Sequence, residues 1–74
     1  LLDHLPEMAD QIAERIRGGR PARIVLSLPR WDHPDHVAVW FAAMMALKQL
    51  QQEGYFQENG LIEVVATDSG FGLL

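Results

Sequence analysis

The chain contains no cysteine, which excludes disulfide bonds and thiolate metal sites. Any metal ion would have to be held by His, Asp or Glu side chains. A chain without cysteine suits a reducing compartment, and the amino terminus lacks the basic start and apolar stretch of a signal peptide, so we expect a cytoplasmic protein. The 74 residues predict one small domain, residues 1–74. This length is near the lower limit at which a hydrophobic core alone, without disulfides or metal sites, stabilises a fold.

Long apolar runs and positive charges are also scarce. The longest run without an ionisable side chain covers residues 37–47, whereas a membrane span needs about 18 apolar residues. The formal net charge is -4, with only 6 Lys and Arg residues, and a nonspecific nucleic-acid binder needs an excess of such residues. We therefore expect no membrane partner and no binding of nucleic acid by overall charge.

Two helices are predicted from the spacing of apolar residues and from the residues at their ends. Residues 5–17 repeat apolar side chains every three or four positions, which is typical of an amphipathic helix, and Gly18–Gly19 is expected to end it. Residues 32–53 predict a longer helix, with Asp32 as its N-cap and Gly54 able to turn the chain after it.

Two short runs rich in β-branched side chains, residues 23–28 and 61–67, predict strands. One face of each run is apolar, and the residues expected to face the core are Ile24, Leu26, Leu28, Ile62, Val64 and Ala66. Residues 55–57 indicate a short hairpin arm. The tail from residue 68 onward indicates either one more strand or a hydrophobic contact.

The order helix, strand, helix, strand predicts an α/β domain in two layers, an α+β arrangement with helices over a small sheet. A strand, a crossover helix and a second strand normally form a parallel βαβ unit. Two strands alone cannot support a sheet, so we expect extra short strands or a partner chain to complete it.

The second helix is apolar in every direction along residues 37–47, whereas an ordinary surface helix keeps a polar face. In one arrangement the domain wraps this helix and leaves Ala38, Ala42 and Ala46 as a mildly exposed stripe. A domain this small has few layers with which to surround a helix, so we favour an interface instead. Its expected anchors are Trp40, Phe41, Met44 and Met45, with Trp31 and Phe71 at its rim.

These features predict a small, non-enzymatic interaction module of the regulatory or adaptor kind, which acts through its apolar helix surface. The expected partner is a second copy, which makes a homo-oligomer, or else a larger protein. No cofactor is expected.

Two loops support an enzymatic alternative. Residues 30–36 and 67–70 each lie at the carboxyl end of a predicted strand, where ligand sites in parallel sheets form. The residues there that suit a divalent metal or a small ligand are Asp32, His33, Asp35, His36, Asp68 and Ser69. Asp and Pro are equally typical of helix caps and turns, and the Gly-x-Ser-x-Gly nucleophile motif is absent, so we favour a protein that is not an enzyme.

A cluster of basic residues supports a third alternative, binding of anions or nucleic acid. Its members are Arg15, Arg17, Arg20, Arg23 and Arg30. Arginines at a helix end and in the following loop are ordinarily solvated, and the second helix offers only Lys48 for contact with a nucleic-acid groove. This alternative is therefore the weakest of the three.

Overall fold

A computed structural model describes residues 2–29, 34–68 and 70–74. In chain order it contains a 3-10 turn (Leu2–His4), α1 (Leu5–Gly19), β1 (Arg23–Ser27), α2 (Pro34–Gln52), α3 (Tyr55–Asn59), β2 (Glu63–Thr67) and β3 (Gly72–Leu73). The predicted fold class is confirmed: the chain is a small α+β domain with helices over a mixed sheet. Within these ranges, no helix combines the length and apolarity that crossing a membrane requires.

The sheet has three strands in the order β2-β1-β3. β1 and β2 are parallel, with Arg23 beside Glu63 and Ser27 beside Thr67, so the predicted βαβ unit is confirmed. β3 pairs antiparallel with β1 through Leu73 and Gly72, which confirms the first of the two alternatives given for the tail, an extra short strand. β1 is therefore the central strand, and β2 and β3 form the two edges.

The core lies between the two long helices and one face of the sheet. Its buried members are Ala9, Ile12, Ala13, Ile16, Ile24, Leu26, Ala42, Ala43, Ala46 and Leu50. Full burial of a large aliphatic residue such as Ile16 or Leu50 contributes about 1.5–3 kcal/mol each. Alanine dominates the contribution of α2, and such small side chains allow α1 to approach closely.

The end of α1 differs from the prediction. Gly18 and Gly19 stay helical, and it is Arg20 that turns left-handed, with φ 48° and its N–H donating to the Ile16 carbonyl at 2.8 Å. Pro21 explains the position of this turn, because the ring of a proline disfavours the right-handed helical conformation in the residue before it.

Two other predictions about local structure are wrong. β1 ends at Ser27, so Leu28 lies beyond the strand and is 42% exposed instead of facing the core. Residues 55–57 belong to α3 and not to a hairpin arm. Gly54 takes the left-handed conformation predicted for it, with φ 82°, and the helical chain resumes immediately after it.

The predicted core face of β2 is also corrected. Val64 is 42% exposed, Ala66 is exposed, and Ile62 is only half-buried. Val64 and Ala66 lie beside Ile24 and Leu26 of β1, which are fully buried, so they share the face that the helices cover. The difference arises because the buried core is centred on β1, whereas β2 lies at the edge of the sheet.

Candidate interaction surface

In the middle of α2, three large side chains face outward and the alanines face inward. Phe41 is 46% exposed and Met45 is 41% exposed, whereas Ala42 and Ala46 are completely buried. The arrangement that would leave an alanine stripe in solvent is therefore wrong, because those alanines form the contact with the rest of the domain.

The outward residues form one continuous stripe along the helix. Phe41, Met44, Met45 and Lys48 follow the i, i+3, i+4, i+7 spacing that places side chains next to each other on a helix surface. All four are exposed. We call Phe41, Met44 and Met45 the apolar face of α2.

A groove with a volume of about 570 Å³ adjoins this face. Its lining comes from α2, from α3 and from the segment that leads into β2, and consists of Met44, Leu47, Lys48, Gln51, Phe56, Leu61 and Ile62. Phe56 is held by an edge-to-face contact with Tyr55, with ring centroids 5.5 Å apart. Leu61 is 88% exposed at the groove, so a large apolar side chain is available there.

The free edge of β2 lies next to the same groove. The Glu63 N–H donates to the Ala22 carbonyl at 3.0 Å, and the Leu28 N–H donates to the Thr67 carbonyl at 2.9 Å. Successive residues of a strand direct their backbone groups to opposite sides, so Val64 and Ala66 direct their N–H and C=O groups away from β1. Among the residues that the structure describes, no strand lies on that side.

The other predicted anchors lie elsewhere. Trp40 is half-buried and packs against the core, and Phe71 does the same from the tail, so each offers less surface than the apolar face of α2. Trp31 lies outside the described residues. Their part in an interface stays a prediction.

The predicted ligand loops are described only in part. The hydrogen bond between Leu28 and Thr67 confirms that β1 and β2 end side by side, as the enzymatic alternative requires. Asp35 and Asp68 are exposed and His36 is half-buried, whereas the other candidates, Asp32, His33 and Ser69, lie outside the described residues. Within residues 2–29, 34–68 and 70–74, no group of three His, Asp or Glu side chains is arranged to hold a metal ion. The metal hypothesis stays untested.

Two of the clustered arginines are engaged within the chain. Arg17 donates to both carboxylate oxygens of Glu53, at 3.1 and 2.6 Å, and to Glu14 at 3.3 Å. Hydrogen bonding between Arg17 and Glu53 raises the pKa of the guanidinium and lowers the pKa of the carboxyl. Arg23 pairs with Glu63 at 2.5 Å.

The remaining members of the cluster are Arg15 and Arg20, which are exposed, and Arg30, which lies outside the described residues. Fewer guanidinium groups are thus available to an external anion than the sequence suggests. Binding of nucleic acid through this cluster stays a prediction.

Comparison with protein-family models, with curated proteins and with solved structures finds no match for this chain.

Proposed function

We propose that this chain is a non-enzymatic interaction module that associates with a second copy of itself through the apolar face of α2. The observation that supports this proposal is the outward position of Phe41, Met44 and Met45 on a helix whose buried residues are mainly alanines. These three large apolar residues are neighbours on one helix face, and a contiguous apolar patch points to an interaction site more strongly than scattered apolar residues do.

The apolar patch supplies part of the area that a stable contact needs. The exposed parts of the apolar face and of Leu61 form a patch of roughly 300 Å², and covering it contributes on the order of 7 kcal/mol per copy before the costs of association. A standard interface buries about 800 Å² on each partner, against a total exposed surface of 4955 Å² for this chain. The groove and the neighbouring β2 edge would supply the remainder.

A second copy is the occupant that this surface fits best. In a twofold dimer the same patch meets itself, so an apolar patch with few charges is matched by an equally apolar patch. Lys48 is the only charged residue among those that form the apolar face or line the groove. The regulatory or adaptor role and the cytoplasmic setting belong to this proposal, the latter because the chain has no cysteine.

Light scattering behind size exclusion, over a wide range of protein concentration, tests the proposal. The wild-type chain should have twice the monomer mass of 8.3 kDa, and Met45→Glu should return it to the monomer by placing a charge within the covered face. Gln11→Glu is the matched control, because it adds the same charge on the exposed side of α1 and should leave the dimer intact. A wild-type chain that stays monomeric and folded at every concentration would refute the proposal.

A further inference from the structure

We infer that two copies join at β2, with the two β2 strands antiparallel and Val65 on the twofold axis, so that two three-stranded sheets become one continuous sheet. The inference rests on the proposed self-association and adds a second contact to it, the edge of β2 beside the apolar face of α2. The partner is therefore a second copy of this chain, recognised through backbone hydrogen bonds and a neighbouring groove.

The β2 edge lacks the features that normally prevent such pairing. Natural edge strands are protected by proline, by lysine, by bulges or by being short. The sequence of β2, Glu63–Thr67, contains no proline, lysine or glycine, and its five residues pair with β1 in an unbroken register. Its one charged residue, Glu63, is already neutralised by Arg23. The opposite edge, β3, has only two residues and offers much less backbone.

The proposed register is self-complementary. With Val65 on the axis, Val64 lies opposite Ala66 of the second copy. Both residues direct their backbone groups outward, so the pair can exchange N–H···O=C bonds in both directions, as antiparallel strands require. Glu63 lies opposite Thr67, so no two like charges face each other across the strands.

The same register brings opposite charges together at the groove. Ile62, which lines the groove, lies opposite Asp68 of the second copy, one residue beyond β2. Lys48, the only lysine in the chain, lines that groove and is exposed, as is Asp68. The second copy would thus close the groove and bring its carboxylate toward the ammonium group, twice in each dimer by symmetry.

This arrangement also covers the exposed apolar residues of β2. Val64 and Ala66 are uncovered on the side of the sheet that carries the helices. In the paired sheet Val64 of each copy would contact Ala66 of the other. Met44 belongs to the apolar face of α2 and also lines the groove, so the surface covered at the groove would join the surface covered along β2.

The first test is the variant Ala66→Pro. The Ala66 N–H points away from β1, so proline removes a donor that the dimer needs and none that the monomer uses. We expect the dimer dissociation constant to rise by more than about tenfold, while the circular dichroism spectrum of the folded chain is retained. Ala66→Thr keeps the amide and suits a strand, so it is the matched control and should still dimerise.

Amide hydrogen exchange of the wild-type chain tests the same contact without a mutation. The amides of Val64 and Ala66 should become protected as the concentration rises, whereas the amide of Val65, directed toward β1, should be protected at every concentration. A dimer in which the Val64 and Ala66 amides stay unprotected overturns the β2 inference and leaves self-association through α2 standing. A chain that is always monomeric overturns both.

Charge reversal tests the register. Lys48→Glu should weaken the dimer by about tenfold, because two attractive pairs become repulsive. Adding Asp68→Lys to the same chain should restore dimerisation, since the pair is then formed with its charges exchanged. If the double variant dimerises no better than Lys48→Glu alone, the proposed register is wrong.

Discussion

In α2 a small residue is buried next to a large residue that is exposed, which predicts opposite effects for substitutions at the two positions. Ala46 is completely buried against the core, whereas Met45, one position earlier, is 41% exposed. Ala46→Met should therefore destabilise the fold strongly, and Met45→Ala should leave the stability of the monomer nearly unchanged. If α2 were rotated to bury its large residues, the two effects would be reversed.

The size of the effect at Ala46 follows from its surroundings. Forcing a longer side chain into a packed core costs about 1–3 kcal/mol. A domain of 74 residues has a total stability of about 4–11 kcal/mol, and each kcal/mol corresponds to about 4–8 °C in Tm for a domain of this size. Ala46→Met should therefore lower Tm by roughly 5–20 °C. Met45→Ala removes a largely solvated side chain and should cost less than about 1 kcal/mol.

Thermal and urea unfolding followed by circular dichroism measure both values. The protein must be dilute enough to be monomeric, because a substitution in a dimer interface would otherwise also change stability through association. An Ala46→Met variant as stable as the wild type, together with a large loss for Met45→Ala, would refute the placement of α2 on which the proposed function depends.

Three further predictions concern the rest of the fold. Leu50→Ala, at a fully buried position where α2 meets the core, should cost about 2–5 kcal/mol in urea unfolding; a cost below 1 kcal/mol would contradict its burial. Gly60→Ala should lower the free energy of unfolding by about 1–3 kcal/mol, because φ 87° and ψ 173° suit only glycine. Gly18→Ala, in α1 with open space around it, should raise the free energy of unfolding by about 0.4–1 kcal/mol, and equal effects of the two variants would argue against these backbone conformations. Because the pKa of Glu53 is lowered, its pairing with Arg17 stabilises the fold above the ordinary pKa of glutamate, and this stabilisation is lost as the pH falls through the lowered pKa. In urea unfolding, the wild type should therefore be more stable than Glu53→Gln at neutral pH, and the difference should shrink toward zero on acidification.

The elements that the sequence predicted well depend on short-range patterns. Residues 5–17 alternate polar and apolar faces clearly enough to define α1, and the β-branched runs define β1 and β2. The boundaries were less accurate, because they depend on small local effects: Pro21 moved the end of α1, and α3 formed where only a hairpin arm was expected.

The orientation of α2 could not be predicted, because a helix that is apolar on all sides gives no periodic signal. The alanines at positions 38, 42 and 46 do mark one stripe, but small residues suit either a weakly exposed surface or a close helix contact. The choice between these depends on α1, which comes from a distant part of the sequence and shares the core with Ala42 and Ala46. Likewise, the apolar pattern of β2 is the same at an edge as in the centre of a sheet, so the exposure of Val64 required the strand order.

The composition of the core connects the stability of the monomer to its association. Because α2 contributes mainly alanines to the core, it buries little apolar area for its length, and its larger side chains remain available to a partner. A domain of this size has little stability to spare. Binding of a second copy stabilises the folded state by an amount that grows with the logarithm of the protein concentration, so the Tm of the wild type should rise with concentration, whereas that of Met45→Glu should not. Such a difference would show that the outward methionines stabilise the protein through the dimer and not through the monomer fold.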